Sequence, residues 1–434
     1  MIMKEIFKKI LTDFMDKEIA GILPRTQSIP LESKKIISLI GVRRSGKSSI
    51  LFDAIRALRL THPRENVLYL NFEDDRLFPL KLEHLDLILE AYFEMYPTKR
   101  DEKIYLFLDE VQVVDGWELY VRRIYDTLNL SIFITGSSAK LLSSEIATSL
   151  RGRTLSFEIF PFSFREYLTC KGIEVNLNAS KSLSFIKNAL DSYLADGGFA
   201  ETIGEDAFIA RKILSDYLEL IVYKDIAQRH NITNGSLLKH LTKYCFTNIA
   251  TLLSFTKLYN EFKSQGFKLS KDTIFNYMSY LEDAYALFTV PIYRNSIKEE
   301  QRNPKKIYAV DSGFKKIYDY VFSHDKSKLY ENAVFLELRR QSKDVYYFKA
   351  HHEVDFYAKI EGKELLLNVS YELKDEKTRK REYDGLLEAM TYFGLNEGYL
   401  ITKDEKNDVL FDDKTIHILP LYEWLLMAHD QDKV

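Results

Sequence analysis

The apolar run Ile36-Ile37-Ser38-Leu39-Ile40 meets the loop Gly41-Val42-Arg43-Arg44-Ser45-Gly46-Lys47-Ser48 and passes into the helical stretch Ser49-Ile50-Leu51-Phe52-Asp53-Ala54-Ile55. A strand joined to a helix through GxxxxGK[ST] is a phosphate cradle in its proper setting. Gly41 and Gly46 let the backbone curl until the N–H groups between Gly41 and Ser49 converge on phosphate oxygens, and the helix N-terminus adds the positive end of its dipole. Lys47 would reach the β and γ phosphates. Ser48 places a hydroxyl where Mg²⁺ is held between the phosphates and a distant carboxylate.

That carboxylate is offered further along the chain, where the buried-strand run Ile104-Tyr105-Leu106-Phe107-Leu108 ends in Asp109-Glu110. Asp109 would hold Mg²⁺ through its waters, and Glu110 would orient or polarise the attacking water, so hydrolysis is expected rather than nucleotide binding alone. A third apolar run, Ile132-Phe133-Ile134, ends in Thr135-Gly136-Ser137-Ser138. A polar residue at such a strand tip can sense the γ phosphate; Ser137 is preferred over Thr135 and Ser138, and capping of a helix beginning near Ala139 is compatible with that role. Ser149-Leu150-Arg151-Gly152-Arg153 offers two guanidinium groups beside a glycine. Arg151 or Arg153 could spread transition-state charge, from within the chain or from a neighbour.

The chain of 434 residues should hold two or three domains, and 46% hydrophobic content suffices for packed cores. A net charge of -3 gives no global attraction to nucleic acid, so any such binding must come from local patches. Two cysteines, Cys170 and Cys245, suggest neither a disulfide framework nor a thiolate metal site, which fits a reducing cytoplasm. No apolar run approaches the roughly 20 residues that span a bilayer, so neither export nor membrane insertion is expected.

Strand-like runs at Ile36 to Ile40, Val67 to Phe72, Ile104 to Leu108 and Ile132 to Ile134 alternate with helical stretches and predict an α/β core with a parallel sheet over residues 1–160. The acids of Asn71-Phe72-Glu73-Asp74-Asp75 face the ligand-binding sheet edge, or form a solvated loop. Phe160-Pro161-Phe162 marks a boundary into a helical layer, interrupted by a tight turn at Gly197-Gly198-Phe199. From Asn248 short helices are expected, at Leu252-Leu253, Phe255 to Phe262 and Ser270 through Leu287. That order suggests a winged helix-turn-helix within 161–300, whose exposed Lys271, Asn276 and Tyr277 would enter a DNA groove, or a protein-protein spacer of the same shape.

The last stretch, 301–434, is again mixed α/β. A helix carrying Glu331 and Glu337, then Glu353-Val354-Asp355-Phe356, then Glu364-Leu365-Leu366-Leu367-Asn368-Val369-Ser370 resemble the restriction-endonuclease-like fold that places an Asp and an ExK tripeptide around Mg²⁺. Here the tripeptide position reads Asn368-Val369-Ser370, which removes a carboxylate ligand and the lysine that positions water. A nuclease-like shell without cutting activity is expected, with Asp355 and Glu331 left as residual metal ligands and His351-His352 nearby. The basic stretch Lys374, Lys377, Arg379, Lys380 and Arg381 could touch a phosphate backbone, diluted by Asp375, Glu376 and Glu382.

Taken together, GVRRSGKSS at 41–49, YLNFEDDRL at 69–77, LFLDEVQ at 106–112, ITGSSAKLL at 134–142, SLRGR at 149–153, GGFAE at 197–201, KIYAVDSGF at 306–314, YENAVFLEL at 330–338 and EVDF at 353–356 resemble a family. It is that of the bacterial and archaeal ATPases of the AAA superfamily that join a GVRRSGKS core to a C-terminal domain of unknown function. The resemblance implies an AAA-type ATPase core, a winged-helix middle and a restriction-endonuclease-like end, with Lys47, Ser48, Asp109, Glu110, Ser137, Arg151 and Arg153 in the roles above. It supplies no substrate. The function expected is Mg²⁺-dependent ATP hydrolysis driving a machine that acts on duplex or branched DNA, in a homo-oligomer that could be a hexameric ring, since a finger given in trans makes each site need a neighbour. Two alternatives stand beside it: a nucleotide-switched signalling ATPase acting on a protein partner, and an ATP-gated defence nuclease.

Overall fold

Five strands, β1 (Ile36–Ile40), β2 (Val67–Asn71), β3 (Ile104–Asp109), β4 (Leu130–Gly136) and β5 (Thr154–Glu158), the first three of them almost wholly apolar, form one parallel sheet in the order β2-β3-β4-β1-β5. β1 and β3 are buried along their whole length, as expected of strands covered by helices on both faces. The computed structural model describes residues 2–136, 149–318 and 326–427, and the chain divides into two units, Met1–Phe160 and Pro161–Val434.

In the first unit the helix Lys47–Leu58 lays Ile50, Leu51, Ala54, Ile55 and Leu58 against the sheet, at the spacing of one helical face. Phe107 and Phe133 stack beneath it with ring centroids 4.4 Å apart. The N-terminal amphipathic segment is the helix Ile2–Asp16, and it buries Phe7, Ile10, Leu11 and Phe14 in the same way. Phe14 stacks on Tyr69 of β2, so this helix closes the core.

In the second unit, Ser163 opens the helix Phe164–Cys170 with a reciprocal capping box to Glu166. The helices Ser180–Asp196 and Ala207–Leu220 follow, the latter running on as a π-helix over Ile221–Gln228. Next come the helix Gly235–Thr247, β6 (Thr251–Leu253), the helices Phe255–Ser264 and Lys271–Asp283, β7 (Leu287–Val290) and β8 (Lys305–Ala309). These strands pair antiparallel in the order β6-β8-β7.

Two local expectations are corrected here. Leu252-Leu253 is strand, not helix: Ala250 has φ of 54°, Ser254 already caps the next helix, and the short segment between pairs with Lys305 and Lys306. Tyr277 is not exposed, because Ile274, Tyr277, Met278 and Leu281 form the apolar stripe of their helix. Lys271 and Asn276 are exposed, together with Phe275, which packs on Phe255.

Six further strands complete the second unit: β9 (Val345–Lys349), β10 (Glu353–Ile360), β11 (Lys363–Val369), β12 (Glu397–Thr402), β13 (Asn407–Phe411) and β14 (Lys414–Pro420). Their order is β13-β14-β12-β11-β10-β9; β9, β10 and β11 form an antiparallel meander, and β12 runs parallel to β11. The helix Lys326–Gln341 precedes the meander, and the helix Glu376–Phe393 makes the crossover from β11 to β12, packing Leu386, Ala389 and Met390 on the sheet. Among the described residues no helix is long and apolar enough to cross a membrane.

The Gly197-Gly198 turn is held by a distant acid. Asp311 accepts the N–H of Gly198 at 2.7 Å and that of Gly313 at 2.8 Å. Gly197 has φ of 83°, and a Cβ on it would lie 1.7 Å from Asp311 Oδ1. GGFAE and VDSGF are therefore two halves of one lock. Burial pushes the Asp311 carboxyl up to about 7, against the pull of both N–H donors.

Asp311→Asn turns an amide NH₂ toward one of these N–H donors and is expected to cost about 1–3 kcal/mol in a denaturant titration. Gly197→Ala should cost at least as much. Because the folded carboxyl binds its proton more tightly than an unfolded aspartate, its contribution is complete in acid and lost as pH rises through about 7. The stability difference between wild type and Asp311→Asn should therefore narrow as pH rises from about 4 to about 7.

Candidate active site

The parallel register brings three strand tips together. Leu39 lies beside Thr135 and Leu108 beside Ile134, so β4 stands between the strand that feeds the glycine loop and the strand that ends in Asp109.

The loop turns where its glycines are. Gly41 has φ of 146°, and a Cβ there would lie 2.2 Å from the Ile159 carbonyl oxygen. Gly46 has φ of 93°, and a Cβ there would lie 2.7 Å from a guanidinium nitrogen of Arg25. Arg25 donates to the Ser45 and Phe160 carbonyls at 2.8 Å each, so a residue outside the motif braces the loop from behind. Lys47 is buried, and its ammonium donates to the Gly41 and Val42 carbonyls at 3.0 Å each. It therefore sits in the hollow of the loop. Ser45 Oγ is buried with no hydrogen-bond partner among the described residues. Val42 is also buried, Arg43, Ser48 and Ser49 are partly exposed and Arg44, with φ of 64°, is exposed.

Asp109 is 2% exposed, and both its oxygens are engaged. Tyr69 donates its hydroxyl to Oδ2 at 2.8 Å, and Thr135 donates its hydroxyl to Oδ1. Burial, then the charge of Asp109, raises the Tyr69 pKa far above its ordinary value, so the phenol stays a neutral donor. Thr135 Oγ1 also accepts the N–H of Glu110 at 3.1 Å. Glu110 itself has φ of 55°, a left-handed conformation that a non-glycine residue holds only where its surroundings enforce it. Gln112 donates to its carboxylate.

Ser137 lies outside the described residues. Thr135, at the same strand tip, is the hydroxyl that links Asp109 to Glu110. Arg151 and Arg153 are not brought to this site: Arg153 accepts the N–H of Ile36 at the start of β1, and β5 runs parallel to β1. Both arginines thus lie at the sheet edge opposite the loop, a strand length of about 16 Å away. Arg153 forms a bidentate pair with Asp126 at 2.9 and 3.1 Å, whereas Arg151 is exposed. In the acidic loop after β2, Asp74 pairs with Arg76, which also reaches Asp13, and Glu73 lies 3.8 Å from Arg43.

The second unit gathers another cluster. Lys306 of β8 points its ammonium at Asp355 (2.7 Å), Glu331 (3.0 Å) and Glu353 (3.1 Å). Tyr308 donates to Glu331 at 2.7 Å, and Val369 N–H to Asp355 at 2.8 Å. Asn368 accepts the Asp355 N–H at 3.0 Å and donates to Glu382 at 2.8 Å, filling the tripeptide position with an amide. Burial, then the charge of Asp355, pushes the Glu331 carboxyl up to about 7. The backbone N–H groups of His351 and His352 bind Glu388. Among the described residues no group of three or more His, Cys, Asp or Glu side chains is placed to hold a metal ion.

A family model described as an AAA domain matches residues 33–168, and one described as a domain of unknown function, DUF8612, matches residues 187–318. An uncharacterised protein of Methanocaldococcus jannaschii is 36% identical over 98% of this chain and 96% of its own length. An uncharacterised protein of Haemophilus influenzae is 31% identical over 90% of this chain and 94% of its own. A solved structure, the Walker-type ATPase PABY2304 of Pyrococcus abyssi, superposes with a TM-score of 0.39 and 14% identity over 73% of this chain and 95% of that one.

Thr135→Val keeps the shape of the side chain and removes both the donor to Asp109 and the acceptor for Glu110 N–H. It is expected to lower unfolding stability by about 2 kcal/mol, with Thr135→Ser retaining most of it, as read in paired denaturant titrations.

Proposed function

The chain belongs to the family of these archaeal and bacterial proteins, and from that premise and its own AAA match over residues 33–168 we propose that it hydrolyses ATP and uses the energy to move its C-terminal elements on DNA. The observation that carries hydrolysis is the Asp109–Thr135–Glu110 linkage at the mouth of the glycine loop. The donor set fits the nucleotide: a glycine-turned loop with no room for a Cβ at Gly41, a partnerless Ser45 hydroxyl, and a lysine held by two loop carbonyls that phosphate oxygens would replace.

Bound Mg²⁺ would neutralise phosphate charge, and Ser48 and Asp109 are the residues that would hold it. Lys47 leaves the Gly41 and Val42 carbonyls for the phosphates, while the loop N–H groups and helix N-terminus bind them from below. Glu110 holds the attacking water and takes up its proton. Thr135 keeps the acid pair in register, and through the same contact β4 is moved when the γ phosphate leaves. Arg151, exposed at the far sheet edge, is the better finger for a neighbouring copy's site, since Arg153 is held by Asp126. A finger on that edge cannot serve its own loop, which supports a homo-oligomer.

The DNA target rests on the segment from Gly235 to Ala309. Its order, helix, short strand, two helices and two strands separated by the short helix Ile297–Arg302, with the first and last strands paired, supports a winged helix that offers Lys271 and Asn276. The C-terminal meander with its flanking helices supports the nuclease-like shell. A second reading, a nucleotide switch for a protein partner, is favoured by the ion pairs on the basic stretch: three of its five basic residues are paired with acids, Lys374 with Glu372, Arg379 with Glu405 and Arg381 with Glu382.

The deciding experiment is steady-state ATP turnover, alone and with single-stranded, duplex and four-way-branched DNA, with Glu110→Gln as the blank. Stimulation by one form supports the DNA reading and names its substrate; a flat response with Glu110-dependent turnover transfers the conclusion to the protein switch. Lys47→Ala should lose nucleotide binding, whereas Glu110→Gln should bind ATP and turn over on the order of 10²–10⁴-fold more slowly. Mixing Arg151→Ala with Lys47→Ala protein should restore part of the activity that neither has alone. If no mixture recovers turnover, the neighbour's finger loses its support.

A further inference from the structure

The acids of the C-terminal domain already have a cation. Lys306 is 3% exposed, and its ammonium has three protons to give, facing three carboxylates at 2.7, 3.0 and 3.1 Å. Burial works against the charge, but the three acids outweigh it and raise the Lys306 pKa well above its ordinary value. Other donors share these acids: Val369 N–H binds Asp355 Oδ2, Tyr308 binds the same Glu331 oxygen as Lys306, and Asn368 and Arg381 bind the neighbouring Glu382. A divalent cation needs oxygen ligands at about 2.0–2.6 Å and would have to expel a charge tethered to the chain. The donor set therefore does not fit a metal.

We propose that the Lys306 ammonium is the resident cation of the Asp355 cluster, standing where a nuclease of this topology would bind a divalent metal. The inference rests on reading the C-terminal domain as a nuclease-like shell, and it says how such a shell keeps its acids without metal chemistry. The tripeptide position has lost its own carboxylate and lysine, and an ammonium from a different strand, in a different sheet, has replaced the metal. The same ion ties β8 of the three-stranded sheet to β10 and to the helix Lys326–Gln341, so the two sheets are cross-linked through a charge that needs no cofactor. An intact cluster makes the domain a rigid binding body whose shape is independent of divalent ions.

The test is Mn²⁺ binding to the nucleotide-free full chain, read by electron paramagnetic resonance and by thermal melting. Wild type and Asp355→Asn should bind the same amount of Mn²⁺, a comparison that holds whatever the nucleotide site contributes to both. Lys306→Ala should gain about one equivalent, with a Mn²⁺-dependent rise in Tm, as the freed carboxylates close around the ion. Adding Asp355→Asn to Lys306→Ala should remove both gains. Mn²⁺ bound by wild type and lost in Asp355→Asn would overturn the inference, and that comparison stands even if Lys306→Ala does not fold. A folded Lys306→Ala that gains no Mn²⁺ would overturn it as well, with the nuclease-like reading untouched. Metal-dependent DNA cleavage by wild type, abolished in Asp355→Asn, would remove the non-cutting shell itself.

Discussion

Everything at the nucleotide site depends on keeping a nearly fully buried carboxyl group bonded and aimed. A polar group with 2% exposure is costly unless its oxygens are bonded, and the fold meets that demand from two neighbouring strands at once. Tyr69 arrives from β2 and Thr135 from β4, which is possible only because β3 lies between them in the sheet. The same order puts β4 beside β1, so the hydroxyl that steadies Asp109 is one strand away from the glycine loop. Sheet order is thus a chemical requirement here as well as a packing outcome.

The glycine loop, the acid pair and the four central strands were legible in the sequence because each is local: a spacing, an apolar run, a turn residue. Helix Lys47–Leu58 and strands β1 and β3 fall where their patterns place them. What was not legible depends on partners far apart in the chain. Nothing around Tyr69 or Arg25 announces a contact with Asp109 or Ser45, and Thr135 could not be separated from Ser137 without the register of β4. Tyr277 was read as exposed because a tyrosine on a polar helix suits either face; its i−3 and i+4 neighbours, Ile274 and Leu281, carried the signal. Leu252-Leu253 failed for a different reason, since two residues have no period and their partner strand begins more than fifty residues later.

The motifs that fell outside the nucleotide site turn out to be structural in a specific sense. GGFAE and VDSGF lie more than a hundred residues apart, yet Asp311 takes N–H donors from both, and Gly197 is required because any side chain would overlap that carboxylate. The lock joins the end of the helix Ser180–Asp196 to the exit of β8. β8 also carries Lys306 and Tyr308, so one short strand fixes the helical layer at one end and the acidic cluster in its middle.

Lys306 and Lys47 show the same residue type answering opposite demands. Lys47 donates to two neutral carbonyl oxygens, contacts that the more strongly charged oxygens of a polyphosphate would replace. Lys306 is held by three carboxylates in a buried site, where charge-assisted bonds are stronger and no incoming anion can compete. A lysine that must respond to a ligand needs weak partners in the free state; one that replaces a cofactor needs strong ones. The first opens a helix behind a loop turned by glycines, the second lies on a strand paired on both sides and faces three carboxylates, and that difference in partners suits one ammonium to an incoming ligand and the other to a fixed place.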